Sequence, residues 1–273
     1  KTSTATINPL VERILKKPIF ERLELLRNTD EPQAQFLWAI YRDIFHYCAI
    51  QLGNIAQSAR EIDFAMRWGY GWDKGPFEDW QAAGITQVAN WIKEDIESGK
   101  ALSSEPLPTW LFTGPVVDKQ AFHTPEGSWS ASEARYIPRS NLPVYQKQVF
   151  RASLLGDGSA DPKTAGTTIY ENPDLRAWVN ENAPDVLIAS FKSKMNTFSP
   201  DVLTGIQKAI ELAEENYSGL VIWQPTSLKL GTPGGPFSAG ANLEAALPMV
   251  MKSGPAGVEP FVKLFQDTMM RVK

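Results

Sequence analysis

The stretch Ile62–Gly84, IDFAMRWGYGWDKGPFEDWQAAG, is the feature that most constrains the fold of this chain. Closely spaced glycines break a helix, because each loses backbone entropy and readily takes a positive φ; here they stand at positions 69, 71, 75 and 84. Pro76 suits the first turn of a new helix. The stretch therefore predicts a helix, a tight glycine turn and a second helix, with Trp68 and Trp72 as packing anchors. It contains no obvious catalytic group.

The composition of the 273 residues excludes several classes of protein. A net charge of −4 gives no basic surface for nucleic acid. The single cysteine, Cys48, excludes an internal disulfide framework and predicts a reducing, cytoplasmic location. The two histidines, His46 and His123, are far apart, so we expect no metal site of the zinc type. No apolar run approaches the roughly 20 residues of a membrane span.

The pattern of residues divides the chain into three predicted segments. Residues 1–105 are predicted to be all-α, including a long helix from about Pro32 to Ser58. Residues 106–166 are rich in proline and glycine and lose the helical period. We predict that this segment is a connector with small β elements, including a hairpin of Trp129–Ala131 and Arg135–Ile137.

The third segment, residues 167–273, has the strand, helix, strand, glycine loop, helix order of an α/β protein. Ser199 and Pro200 are suited to begin a helix that ends near Asn216. The apolar run Gly219–Trp223 predicts a buried strand. The predicted fold class is therefore α + α/β, an all-α domain followed by a connector and an α/β segment.

The loop Phe237–Leu243, FSAGANL, is the strongest candidate for chemistry. It follows a predicted strand and opens a predicted helix, and its small residues let a ligand approach the backbone. Free N–H groups at a helix start can stabilise an oxyanion or bind an anion. The alternative is an ordinary strand-to-helix turn.

A second candidate is the pair Lys192 and Lys194, which follows a predicted strand and could bind phosphate groups as point charges. The alternative is a solvated turn. Gly231–Pro236 resembles a phosphate loop only superficially, because no Gly-Lys-Ser/Thr follows it. No GxGxxG follows a strand, so no dinucleotide fold is expected. His46 and Cys48 are interpreted as core residues, and His123 has no evident partner.

Two resemblances arise at these motifs. Glu61–Gly84 resembles the C-terminal helical domain of 3-hydroxyacyl-CoA dehydrogenases, which carries an aspartate-alanine-methionine helix, a glycine-aromatic corner and then Gly-Pro-Phe-Glu. That resemblance covers about residues 20–105. The segments VLIASFKSKMNTFSPDVL, GLVIW and FSAGANL resemble, in order, the first loop, second strand and first oxyanion loop of a crotonase (enoyl-CoA hydratase/isomerase) domain over about residues 167–273.

Together these segments resemble fused, multifunctional proteins of fatty acid β-oxidation. The resemblance implies an acyl-CoA substrate, with coenzyme A as part of it, and NAD as the cofactor of the parent protein. It also implies that the backbone N–H of Ala241 is the first oxyanion-hole donor to the thioester. Lys192, Lys194 and Ala239 match positions on the CoA nucleotide side, and Gly240 belongs to the same substrate-binding loop.

The resemblance also implies parts that these residues do not contain. A crotonase needs a second oxyanion N–H and commonly a later glutamate, and the dehydrogenase needs its dinucleotide domain. We therefore expect a central excerpt of a longer protein, inactive by itself. Two alternatives remain open, a non-catalytic dimerisation and docking module, and an acyl-CoA binding protein without chemistry. Uncovered sheet edges favour a homodimer.

Overall fold

The structure is a computed structural model that describes residues 6–146, 148, 151–159, 161, 163–224 and 237–272. The chain is a mixture of helix and sheet, and it divides into two compact units, Lys1–Ser159 and Ala160–Lys273. Each unit has its own hydrophobic core. Residues 106–159, most of the segment predicted as a connector, belong to the first of these units.

The first unit begins with six helices, as predicted for an all-α segment, and they are α1 (Pro9–Leu15), α2 (Ile19–Asn28), α3 (Pro32–Gln51), α4 (Ala59–Tyr70), α5 (Pro76–Ala83) and α6 (Ile85–Glu97). Smaller elements follow, namely a 3₁₀ turn (Thr109–Leu111), α7 (Pro115–Lys119), β1 (His123–Thr124), β2 (Gly127–Ser130), β3 (Arg135–Ile137) and α8 (Pro143–Gln146). The three strands form an antiparallel sheet in the order β1-β2-β3. Trp129 pairs with Tyr136, which confirms the predicted hairpin.

The glycine corner joins α4 to α5 as predicted. Gly71 ends α4 in the left-handed conformation with φ 70°, and Pro76 opens α5. The aromatic anchor is Trp80, which is fully buried and stacks on Phe45 with ring centroids 5.2 Å apart. The prediction for Trp68 was wrong, because its side chain is 70% exposed. Trp68 lies outside the buried face of α4, and its ring stacks on Phe64 of the same helix.

Helix α3 ends earlier than predicted. It stops at Gln51 because Leu52 is extended and Gly53 takes a φ of 96°, so the chain turns before Ser58. The buried face of α3 carries Trp38, Phe45 and His46. His46 is a core residue as interpreted from the sequence, and its Nε2 lies 2.7 Å from the carbonyl oxygen of Glu105.

The second unit contains a four-stranded sheet with helices, comprising β4 (Thr167–Glu171), β5 (Leu175–Asn180), β6 (Ala183–Phe191), α9 (Pro200–Asn216), β7 (Gly219–Ile222), α10 (Leu243–Ser253) and α11 (Glu259–Val272), with 3₁₀ turns at Lys194–Asn196 and Gly254–Val258. The order is β4-β5-β6-β7, and only the β6–β7 pair is parallel. Strands β6 and β7 with α9 between them form a β-α-β unit.

Helix α9 begins as its sequence predicts. The Oγ of Ser199 accepts a hydrogen bond from the Val202 N–H at 3.2 Å, and Pro200 fills the first helical position. Strand β7 differs from its prediction as a buried strand. Val221 is 47% exposed, because β7 lies at the edge of the described sheet. None of the helices in the described ranges is long and apolar enough to cross a membrane.

Candidate functional site

The loop before α10 is held against the segment that precedes α9. The N–H of Phe198 donates to the carbonyl oxygen of Gly240 at 2.8 Å, and the N–H of Asn242 donates to the carbonyl oxygen of Phe198 at 2.8 Å. These two bonds form a parallel bridge between Phe198 and Ala241. The glycine-rich run 231–236, noted in the sequence, lies outside the described residues.

This bridge determines where the Ala241 N–H points. In a parallel bridge, one residue forms hydrogen bonds with the residues before and after its partner in the chain. The partner's own N–H and carbonyl therefore face away from that residue. Ala241 is that partner, and within the described ranges its N–H donates to no acceptor. Among the described residues, no atom lies within 4 Å of the position that a Cβ at Gly240 would take. The Ala241 N–H is thus a backbone donor at an exposed position, without an acceptor among the described residues.

Two non-glycine residues take the left-handed conformation next to this loop. Met195 has φ 56° and Asn196 has φ 53°. The Met195 carbonyl oxygen accepts a hydrogen bond from the Ala239 N–H at 3.1 Å, so this turn is fixed to the Ala241 loop. Conformations of this kind cost free energy and cluster where a structure fixes them for a purpose. Reasoning from the sequence missed this strained pair, although asparagine is enriched in that conformation.

The two predicted lysines have different surroundings. The ammonium of Lys192 bonds a carboxylate oxygen of Glu171 at 2.6 Å and the carbonyl oxygen of Asn172 at 3.1 Å. The hydrogen bond and positive charge of Lys192 lower the pKa of the Glu171 carboxyl. Lys194 is exposed, and its ammonium forms no ion pair within the part of the chain that the structure describes. Lys194 is the first residue of the turn that bonds Ala239, whereas Lys192 is held toward β4.

A buried polar cluster lies in the first unit, and it corrects the interpretation of His123. The His123 Nε2 is 2.8 Å from an oxygen of Asp63, and its Nδ1 is 2.9 Å from the Ser128 Oγ. A serine, histidine and aspartate in this order resemble a nucleophilic triad. All three are at most 2% exposed, so no substrate reaches the hydroxyl. The cluster is a structural network, and its members are too far apart in sequence for a local pattern to reveal it.

The Asp63 carboxylate also caps α5. Its two oxygens accept hydrogen bonds from the N–H groups of Phe77 at 2.8 Å and Glu78 at 3.0 Å. Glu78 in turn accepts from the Gly75 N–H at 2.9 Å and from the Leu155 N–H at 2.9 Å. Burial raises the pKa of the Glu78 carboxyl, against the lowering effect of these bonds. The glycine corner is therefore organised around two buried acids.

A groove of about 860 Å³ lies beside the same corner and is lined by α2, α3 and the start of α5. Asp79 is among its lining residues. Burial raises the pKa of Asp79 to about 6, although Lys74 and Arg22 act in the opposite direction. A carboxyl in this state is protonated in mildly acidic solution and ionised at neutral pH.

Replacement of Asp79 by asparagine is expected to change how stability depends on pH. Because the folded-state pKa is raised, folded wild-type protein loses stability as pH rises from about 4 to about 6. The free energy of unfolding is measured by urea denaturation for both proteins. Across that interval the value for Asp79→Asn should rise relative to the value for wild type by on the order of 2 kcal/mol. Asp73→Asn, at an exposed position in the same corner, is the control. Parallel pH curves for wild type and Asp79→Asn would contradict the prediction.

Comparison with known proteins finds relatives over almost the whole chain. It is 29% identical over 258 residues to a protein of Bacillus subtilis (strain 168) named "Probable 3-hydroxyacyl-CoA dehydrogenase". The chain is similar to dehydrogenases of this name. It is also 23% and 24% identical over 256 residues to proteins of Rickettsia felis and Rickettsia prowazekii, each named "Putative fatty acid oxidation complex trifunctional enzyme". No protein-family model and no solved structure matches.

The extent of these alignments is informative. They cover 92% to 93% of this chain but only 28% to 29% of the relatives, so the chain spans less than a third of their length. An alignment that covers 92% of the chain must include residues of both compact units. The two units therefore also occur together, in one polypeptide, in the relative from Bacillus subtilis.

Proposed function

We propose that this chain is part of a fatty acid β-oxidation protein that acts on acyl-CoA thioesters, and that the Ala241 N–H binds the thioester carbonyl oxygen. The observation that carries the proposal is that N–H itself, which the bridge to Phe198 does not use and which meets no acceptor among the described residues at an exposed position. The similarity to proteins named for 3-hydroxyacyl-CoA and for fatty acid oxidation supports the substrate class.

The chemistry follows from where charge develops. Removal of a proton from the carbon next to a thioester carbonyl, or addition of water to the conjugated double bond as in enoyl-CoA hydration by a crotonase, places negative charge on the carbonyl oxygen. A fixed N–H directed at that oxygen is worth a few kcal/mol in the transition state. The loop that carries Ala241 is fixed at both ends, through Phe198 and through the Met195–Ala239 bond. The donor is thus positioned before the substrate arrives.

The nucleotide part of coenzyme A is assigned to the side of the loop where Lys194 lies. Its exposed ammonium is available to a phosphate group as a point charge. Lys192 would have to exchange Glu171 for a phosphate, so we expect it to contribute less. Gly240 and Ala239 contribute by their small size, which leaves room for the ligand next to the backbone.

The dehydrogenase part of the proposal concerns the helical unit. We propose that it is the helical domain of an NAD-dependent 3-hydroxyacyl-CoA dehydrogenase, located in the cytoplasm, and that a polypeptide of the relatives' length carries both activities. NAD-dependent oxidation by the 273 residues alone is expected to be undetectable. A docking or homodimerising role remains the second candidate, favoured by exposed apolar side chains on α2 and α3 such as Phe20 and Phe36.

Calorimetric titration with an acyl-CoA and with free coenzyme A tests the thioester site. Ala241→Pro removes the N–H without removing either bond of the bridge, because Phe198 supplies one group to each bond. Ala241→Gly keeps the N–H and serves as the matched control. Wild type and Ala241→Gly should bind the acyl-CoA about fivefold tighter than free coenzyme A, and Ala241→Pro should lose this preference.

Lys194→Ala provides the second arm of that titration. It should weaken both ligands equally, because it acts on the shared nucleotide part, whereas Lys252→Ala on α10 should weaken neither. Equal affinities of wild type for the acyl-CoA and free coenzyme A, or an undiminished preference in Ala241→Pro, would refute the thioester site.

A further inference from the structure

A pocket of about 510 Å³ opens beside α4 in the first unit, and it shares no lining residue with the groove at Asp79. One wall is formed by Arg60, Phe64 and Trp68 on α4. The opposite wall is formed by residues that follow β3, among them Arg139 and Arg151. Its volume lies within the range of pockets that bind small molecules and cofactors.

The charges around this pocket are unbalanced. Three arginines line it, and Glu61 is the single acid among the described lining residues. Glu61 is already engaged, because its carboxylate accepts from the N–H and the hydroxyl of Ser58. The pocket is thus cationic in a protein whose net charge is −4. Such local charge attracts and retains anions.

The repulsion within the cluster is visible at Arg139. Burial lowers its pKa, and the charges of Arg60, Arg151 and Arg67 lower it further, while Asp157 acts against them. Three of these guanidinium groups already have a carboxylate partner, with Glu61 3.2 Å from Arg60, Glu78 3.5 Å from Arg67 and Asp157 3.4 Å from Arg139. The Arg151 guanidinium has no carboxylate partner among the described residues, and its charge adds to the repulsion. A bound anion would relieve this repulsion.

Arg60 and Arg151 have N–H groups that no acceptor engages among the described residues. Arg151 donates to the carbonyl oxygens of Tyr145 and Ser140 at 2.9 and 3.0 Å, which uses two of its five N–H groups. Arg60 contacts Glu61 through Nη2 at 3.2 Å, and its Nη1 is buried and finds no acceptor among the described residues. Guanidinium forks with free donors match the oxygens of a phosphate group.

The same pocket offers an aromatic surface. The ring of Trp68 stacks on Phe64 with centroids 4.5 Å apart and planes 4° from parallel. The Arg139 guanidinium lies 5.7 Å from the Phe64 centroid, so Phe64 is covered, but Trp68 is 70% exposed. An exposed tryptophan held by a stacked neighbour is a surface on which a planar base stacks.

We propose that this pocket binds an adenosine diphosphate group, with the adenine on Trp68 and the phosphates on Arg60, Arg139 and Arg151. Both coenzyme A and NAD contain this group, and either can supply it. The site lies in the helical unit, and it is independent of the Ala241 loop. It gives the helical unit a ligand of its own.

Titration of the full chain with ADP, pyrophosphate, coenzyme A and NAD, followed by calorimetry, tests this assignment. Trp68→Ala should weaken ADP about tenfold or more and leave pyrophosphate unchanged, because only the stacking is lost. Arg60→Ala should weaken both, and more strongly at low ionic strength. Whichever of coenzyme A and NAD binds with the higher affinity is the source of the group.

Matched controls keep the test decisive. Tyr70→Ala removes an exposed aromatic ring from the same helix but outside the pocket, and Arg13→Ala removes a positive charge from α1. Neither should alter ADP binding, and thermal melting should show that all four variants are folded. No binding of ADP to wild type, or equal affinities of wild type and Trp68→Ala for ADP, would overturn the proposal. Lys194→Ala removes the ammonium assigned to the nucleotide part of coenzyme A at the Ala241 loop. It should leave ADP binding by this pocket intact, and that result separates the two sites.

Discussion

Replacement of Asp63 by alanine is expected to lower the free energy of unfolding of the helical unit by about 3–5 kcal/mol. The Asp63 carboxylate is fully buried and accepts hydrogen bonds from the Phe77 and Glu78 N–H groups, with His123 Nε2 also 2.8 Å from it. Removal of the carboxylate leaves these groups buried without their acceptor, and each then carries its full desolvation penalty. The same change uncaps α5.

Urea denaturation monitored by tryptophan fluorescence measures this effect. Asp73→Ala is the control, because Asp73 is exposed in the same turn and its loss should change the free energy by no more than about 0.5 kcal/mol. Asp63→Asn retains one carbonyl oxygen and should lie between the two variants. A loss below about 1 kcal/mol for Asp63→Ala would mean that water or a rearranged backbone replaces the carboxylate.

The second large effect is expected at Gly75. A Cβ at this position would lie 2.3 Å from the Cβ, Cγ and Oδ1 of Asp63. The φ of Gly75 is −78°, so the backbone itself would tolerate alanine and the cost is steric. Asp63 could yield only by giving up its bonds to α5. We expect Gly75→Ala to lower the free energy of unfolding by about 3 kcal/mol.

Gly69 provides the opposite result from the same chemical change. It lies in the last turn of α4, and an added Cβ there would meet no atom within 4 Å. Gly69→Ala should therefore raise the free energy of unfolding by about 0.5–1 kcal/mol through helix propensity. The pair of variants is compared in one set of urea denaturation curves. Equal and small effects at both positions would contradict the close approach of Gly75 to Asp63.

Local signals in the sequence predicted much of the fold. Gly71 and Pro76 define the corner by backbone preference alone, and both take the predicted roles. Ser199 and Pro200 do the same for α9. These predictions succeed because each depends on the conformational range of one or two residues, which neighbours far along the chain do not change.

Predictions that depend on distant neighbours failed. Trp68 was predicted to be a packing anchor of the corner, but burial is decided by which face of α4 packs. The buried residues of α4 are Ala59, Ile62, Asp63 and Arg67, and Trp68 lies outside that face. His123 lacked a visible partner because Asp63 is 60 residues away. Strand β7 was predicted to be buried from its apolar residues, although its place at the edge of the sheet is a property of the whole strand order.

The candidate site also depends on contacts between residues that are distant in sequence. The sequence singled out the loop containing Ala241, but the direction of its N–H follows from pairing with Phe198. That pairing joins segments on either side of α9 and β7, and no local pattern encodes it. The different surroundings of Lys192 and Lys194 also depend on Glu171, a residue of strand β4 that pairs with Lys192.

The corner has a consequence for the order in which the chain is made. Three side chains on α4 and α5 reach groups that the ribosome adds much later, because Arg67 donates to the Ser153 carbonyl, Glu78 accepts from the Leu155 N–H and Gln81 donates to the Leu155 carbonyl. A nascent chain that has just completed α6 holds these side chains without those partners. The helices can form early, but their corner becomes fully satisfied only when residues 153–155 have been translated. Until then the Arg67, Glu78 and Gln81 side chains depend on water or on chaperones in place of the hydrogen-bond partners that residues 153–155 provide in the finished protein.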